Sequence, residues 1–214
     1  LSLADYARFV NGVAATDPEG AWARVPRGES GVHQAGGGQF WARPAPGEPY
    51  VVPDVDADGD QWDERWPLLG VHWHDAMACA AWFAAETGLP IRLPTALESE
   101  KAVRGVDGRI YPWGDRFDAT LCHVRDSRPG RPRPAPVGSF PEDRSVYGVR
   151  DAGGCIRELC GDAEYAGNPE RRPARGASWN HLPDAARCAS SLGTTHWNIS
   201  AFMGARLARG LPGE

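Results

Sequence analysis

The chain has 214 residues, 42% of them hydrophobic, with a formal charge of -5 at pH 7 and an isoelectric point near 5.7. That length suits one good core, a single domain over 1–214, while 26 glycines and 19 prolines leave no room for long helices. The acidic balance argues against nucleic acid and anionic membranes, which need a basic face, and no apolar run approaches the roughly eighteen residues of a membrane span.

Ser2 is placed to cap a first helix in which Leu3, Tyr6, Phe9, Val10 and Val13 recur at steps of three and four, ending between Gly12 and Asp17. From Pro18 to Pro53 the Gly- and Pro-rich sequence predicts loop and short strand, anchored to the core by Trp22, Phe40, Trp41 and Tyr50. Gly70 to Asp75 reads as a short strand or turn. A second helix is expected over Ala76 to Thr87, with Met77, Ala80, Ala81 and Ala84 on its buried face and Gly88 as its stop. Thr95 and Glu98 form a capping box for a third helix, which ends near Arg104 and Gly105. Beyond it, Ala135 to Phe140, Cys155 to Cys160 and Gly204 to Leu207 read as short strands between turns, with a basic, Pro-rich loop over Arg128 to Pro136. The sum is an α+β domain with few helices and much irregular loop.

The five cysteines, at 79, 122, 155, 160 and 188, are odd in number and scattered, which points to a reducing cytoplasm rather than a disulfide framework. No secretory signal pattern opens the chain. It begins at Leu1 rather than Met, so a domain of a larger protein is expected.

Several short motifs follow one another in order: Gly70-Val-His-Trp-His-Asp-Ala-Met-Ala-Cys79, Arg92-Leu-Pro-Thr95, Tyr111-Pro-Trp-Gly-Asp115, Pro136-Val-Gly-Ser-Phe140, Arg175-Gly-Ala-Ser-Trp179 and Gly204-Ala-Arg-Leu207. In this series, over about 66 to 209, the chain resembles the formylglycine-generating enzyme (sulfatase-modifying factor) family. The resemblance implies a C-type-lectin-like fold of that family's subtype, with short twisted strands. In the active oxidases two cysteines shortly after the Gly-Gly-Ser-aromatic turn hold copper(I) as soft thiolates. Here Trp179 is followed by Asn180, His181, Leu182, Pro183 and Asp184, so the copper pair is missing and copper is not expected. The third helix carries Ala96 and Ser99 where the family has Glu and Trp, and Ala205 stands where Phe is usual.

The resemblance also implies structural calcium held by Asp151, Glu158 and the backbone carbonyls of Gly154 and Ile156, hard oxygen donors suited to that ion. The alternative is that Asp151 caps a turn and Glu158 pairs with an arginine. A second family site near His123, Val124 and Asp126 has His where Asn is usual. Four other patterns point to plainer roles. Asp54 to Asp60 matches half an EF-hand loop, but its twelfth position is Arg65 and no amphipathic helices flank it. Cys155 and Cys160, five apart, face opposite ways on a strand and about 140° apart on a helix, and read as buried structural thiols. His72 and His74 share one face of an extended segment, where packing or capping of the next helix outweighs metal binding. Ser178, His181 and Asp184 lie too close in sequence for a hydrolytic triad.

In lectin-like folds the loops after the Arg175–Trp179 turn form the ligand face. The expected site is Trp179, Asn180, His181, Asp184, Thr194, Thr195, His196, Trp197 and Asn198, a polar and aromatic mix suited to recognising a protein or small-molecule ligand. The resulting expectation is a non-catalytic recognition or regulatory domain of a multidomain bacterial protein. It would be either linked to a Ser/Thr kinase or a retroelement-diversified variable protein. The competing expectation is a copper-dependent oxidase acting on a sulfatase cysteine.

Overall fold

The computed structural model describes residues 1–28, 38–55, 59, 61–164 and 168–210. Most of the Asp54 to Asp60 loop therefore lies outside the described residues. Helices α1 (Leu3–Ala14), α2 (Pro18–Arg24), α3 (Trp73–Thr87) and α4 (Ala96–Arg104) are joined by strands β1 (Ile91–Arg92), β2 (Arg157–Leu159), β3 (Arg171–Arg175), β4 (Ser191–Thr195), β5 (Met203–Ala205) and β6 (Ala208–Arg209). The strands form two sheets, ordered β4-β3-β2-β5 and β1-β6. In the larger sheet β2 runs parallel to β5 and antiparallel to β3. No described helix is long and apolar enough to cross a membrane.

Side-chain caps set the helix starts, because the first amide groups of a helix have no partner within it. Ser2 and Asp5 box α1, and Thr95 and Glu98 box α4 as the sequence predicts. At α3 the cap is His72, whose Nδ1 accepts from the Asp75 amide at 3.1 Å, so the helix begins three residues earlier than Ala76. Gly88, at φ 65°, ends α3 in the left-handed region, where a side chain is strained. Helix α2 breaks the expected loop: Asp17 accepts from the Gly20 amide at 2.9 Å, and Pro18 fills the first helical position without losing a bond.

The main core packs α1 through Leu3, Tyr6, Phe9 and Val10 against Trp41, Leu68 and α3. The buried face of α3 is Asp75, Ala76, Cys79 and Ala80, rotated from the expected stripe, and Ala81 is exposed. Asp75, inside the helix because α3 starts earlier, points inward and pairs with Arg27 at 3.0 Å, which holds that face toward the core. Residues 135–140 form no strand, because Pro134 and Pro136 have no amide to donate.

Candidate functional site

The segment after β3 begins with a fixed base. Arg175 pairs with Glu100 of α4 and donates to the carbonyls of Ala189 at 3.3 Å and Cys188 at 3.4 Å. Gly176, at φ 76°, turns the chain, and Ser178 is 0% exposed. The Trp179 amide then donates to the Cys155 carbonyl at 3.2 Å, tying the turn to the segment that leads into β2.

His181 folds back onto this turn. Its Nδ1 accepts the Ser178 amide at 2.9 Å and lies 2.8 Å from the Ser178 hydroxyl. Burial, then the Arg157 and Arg125 charges, push the ring down to about 4, so it is neutral at physiological pH. Arg125 closes the loop from outside, bonding the carbonyls of His181 and Asn180, both at 3.0 Å. Asp184 sits exposed at the start of a short 3₁₀ turn, Pro183–Ala186, with no hydrogen bond to the ring among the described residues. The three residues thus do not assemble a triad: the serine is sealed and the carboxylate faces solvent.

All five cysteines are free and buried. Burial pushes the thiols up, to about 11 for Cys188, about 12 for Cys79 and Cys160, and well above the ordinary value for Cys122 and Cys155. A thiol kept protonated and sealed from solvent is a poor nucleophile and a poor ligand. Among the described residues no group of three or more His, Cys, Asp or Glu side chains is placed to hold a metal ion.

The expected ligand face divides into two clusters. Trp179 and Asn180 line a groove of about 280 Å³ together with Trp62, Trp66 and Phe202. Its other wall is the Pro-rich segment Arg131–Pro134. His181 lies behind this groove, 6.3 Å ring to ring from Phe202. The second cluster gathers around Trp197, which is 62% exposed and packs on His74 at 4.4 Å and on His72 at 5.4 Å. His196 approaches His74 at 4.9 Å. His72 is already committed as the α3 cap, so its Nδ1 lone pair is not available to a metal. Thr194 is buried and accepts from Asn198 at 2.9 Å, whereas Thr195 is exposed at the end of β4. Of the groove's other residues, Phe40 was read only as a core anchor and Arg133 only as part of the basic loop Arg128 to Pro136, while Trp62, Trp66 and Phe202, distant in chain from Trp179, were not singled out by the sequence.

At the expected calcium position, Asp151 and Glu158 line one small cavity with Ile156. Asp151 holds a φ of 52°, and its carboxylate accepts the Gly138 amide at 2.8 Å. Glu158 is held by Arg206, whose Nε lies 2.9 and 3.1 Å from its two oxygens. The donors are hard oxygens and fit a hard cation, although the Glu158 charge is already balanced by a guanidinium. Beneath them lies a residue the sequence did not reveal, Asp143, whose two oxygens accept the amides of Ala152 at 3.1 Å, Gly153 at 2.7 Å and Gly154 at 3.0 Å. At the second family position His123 is buried and stacks on Phe140 at 5.3 Å.

Residues 2–211 match the family described as "Sulfatase-modifying factor enzyme 1-like domain". The chain belongs to this family. It is 31% identical over 193 residues to "Inactive C-alpha-formylglycine-generating enzyme 2" of Bos taurus, covering 82% of this chain and 58% of that protein. It is 29% identical over 162 residues to "Serine/threonine-protein kinase pkn1" of Chlamydia caviae, covering 68% of this chain and 24% of the kinase. Proteins named formylglycine-generating enzyme also match. Among solved structures, PvdO from Pseudomonas aeruginosa aligns with TM-score 0.68 at 20% identity, covering 94% of this chain and 75% of that one. Treponema denticola variable protein 1 aligns with TM-score 0.57 at 19% identity, covering 78% and 75%. The fold is the C-type-lectin-like fold of the formylglycine-generating subtype. The chain spans under three fifths of the length of the two inactive-enzyme relatives it matches.

Proposed function

We propose that the chain is a non-catalytic recognition or regulatory domain, working as one part of a larger bacterial protein. The observation that carries this reading is the turn after Trp179, where a neutral histidine closes on Ser178 and the next cysteine in sequence, Cys188, is buried with its thiol pushed up to about 11. The printed name of the bovine relative, an inactive enzyme, supports it. The chlamydial kinase, which this chain matches over a quarter of its length, supports a domain joined to a kinase. The resemblance in fold to a variable protein supports a ligand face built on the same loops. The five buried free thiols suit a reducing cytoplasm. A copper(I) titration against a competing chelator tests the reading. The expected result is no stoichiometric copper, and tight binding of one copper per chain contradicts it.

We also propose that calcium at Asp151, Glu158 and the carbonyls of Gly154 and Ile156 supports the loop beneath the face, as oxygen donors of this kind organise irregular backbone. Calcium at about a hundred times its dissociation constant then stabilises the chain by about 2.7 kcal/mol. A thermal melt with calcium and with chelator reads this as a rise of roughly 5–10 °C, lost in Glu158→Gln. Identical melting with and without the ion contradicts the proposal.

A further inference from the structure

The groove below the Arg175–Trp179 turn has a chemistry of its own. At about 280 Å³ it suits one small molecule or ring system rather than a folded partner. Its aromatic surfaces are closely set: Phe40 lies 5.2 Å from Trp62, Trp62 lies 5.5 Å from Trp66, and Trp179 lies 5.0 Å from Phe202. The facing wall, Arg131–Pro134, is anchored just beyond its end by the Val137 amide on the Arg65 carbonyl at 2.8 Å.

Two donors beside this groove have no partner among the described residues. The indole N–H belongs to Trp179, which lines the groove; it is buried with no acceptor among those residues, which is a cost to the folded chain unless something else accepts it. Arg133 is exposed and forms no ion pair with any described residue. No carboxylate stands among the described residues that line the groove, although the chain as a whole carries a charge of -5. Aromatic faces with unsatisfied donors, one of them cationic, complement a flat ring that bears an anionic oxygen pair.

We propose that this groove binds an aromatic carboxylic acid, with the ring among the tryptophans and the carboxylate accepting from Arg133 and the Trp179 indole. The inference rests on the recognition reading, because the same turn would carry the copper pair in an oxidase. It names the ligand class that the reading leaves open.

The test titrates the chain with indole-3-acetate, indole and acetate, following affinity by calorimetry and the tryptophan indole N–H resonances by NMR. Trp179→Phe identifies the Trp179 signal. Saturable binding of indole-3-acetate that moves the Trp179 signal is expected, with indole about tenfold weaker, acetate inert, and Arg133→Ala about tenfold weaker for indole-3-acetate. Arg133 is exposed, so its replacement leaves the fold intact and the comparison clean. No saturation, equal affinity for indole and indole-3-acetate, or no effect of Arg133→Ala overturns the inference. Copper binding with turnover would instead overturn the recognition reading, so the two failures are separable.

Discussion

Asp143→Ala is expected to cost at least about 3 kcal/mol, since it strips the side-chain acceptor from three buried amides and each such orphan costs about 1–3 kcal/mol. Asp143 is 1% exposed, and its bonds to Ala152, Gly153 and Gly154 fix the backbone that leads into the Asp151–Glu158 segment. The backbone it holds is tightly set, since a Cβ on Gly154 would meet the His123 carbonyl oxygen at 2.6 Å. Thermal unfolding reads the loss as a fall of roughly 6–12 °C. The pH dependence has a definite sign. Burial pushes the Asp143 carboxyl up to about 7, against the opposing pull of the three amides. The folded chain then holds a proton that the unfolded chain releases between 3.8 and about 7. This contribution to stability is complete below that window and is lost as pH rises through it. The penalty of Asp143→Ala therefore shrinks as pH rises from about 5 to about 8. A variant that melts like the parent, or a penalty that grows with pH, contradicts this.

Gly204→Ala is expected to be as damaging through a different cause. Gly204 has no positive φ, so its freedom from a side chain, not its backbone conformation, is what the fold uses. A Cβ there would lie 1.8 Å from the Leu68 carbonyl oxygen and 2.8 Å from its carbon. Neither side can retreat easily. Gly204 is central in β5, paired with Glu158 of β2, and Leu68 is fully buried in the core with its amide bonded to the Leu1 carbonyl at 2.9 Å. Overpacking against side chains costs about 1–3 kcal/mol, and backbone on both sides places this substitution at about 3 kcal/mol or more. Denaturant unfolding checks it, and a midpoint equal to the parent's contradicts it.

The sequence carried the parts of the fold that short-range chemistry dictates. The caps of α1 and α4 and the Gly88 stop were visible because each is fixed within four residues. Helix α2 was hidden by a run rich in Gly and Pro, although Asp17 followed by Pro18 is a helix start in its own right. Capping of the next helix was among the roles read for His72 and His74, but the helix was still started at Ala76; the His72 box with Asp75 sets its start, and the pairing of Asp75 with Arg27, 48 residues away, shows which side faces inward. Strands β3 and β4 have mixed polar faces and no clean alternation, since their pairing is set by register with each other.

Of the site, the Arg175–Trp179 turn was readable from the family pattern. The division of the ligand face was not, because it depends on which distant aromatics meet it: Trp62 and Phe202 at Trp179, and His72 and His74 at Trp197. Asp143 gave no signal at all, being one carboxylate among many until three amides are seen to point at it.

The central claim is that Asn180, His181 and Asp184 stand where redox chemistry would be. Its most direct test is incubation of the copper(I)-treated chain with a cysteine-bearing sulfatase peptide in oxygenated buffer, with mass spectrometry for the aldehyde. The peptide cysteine is expected to be unchanged at every time point. Multiple-turnover conversion of that cysteine to formylglycine would contradict it.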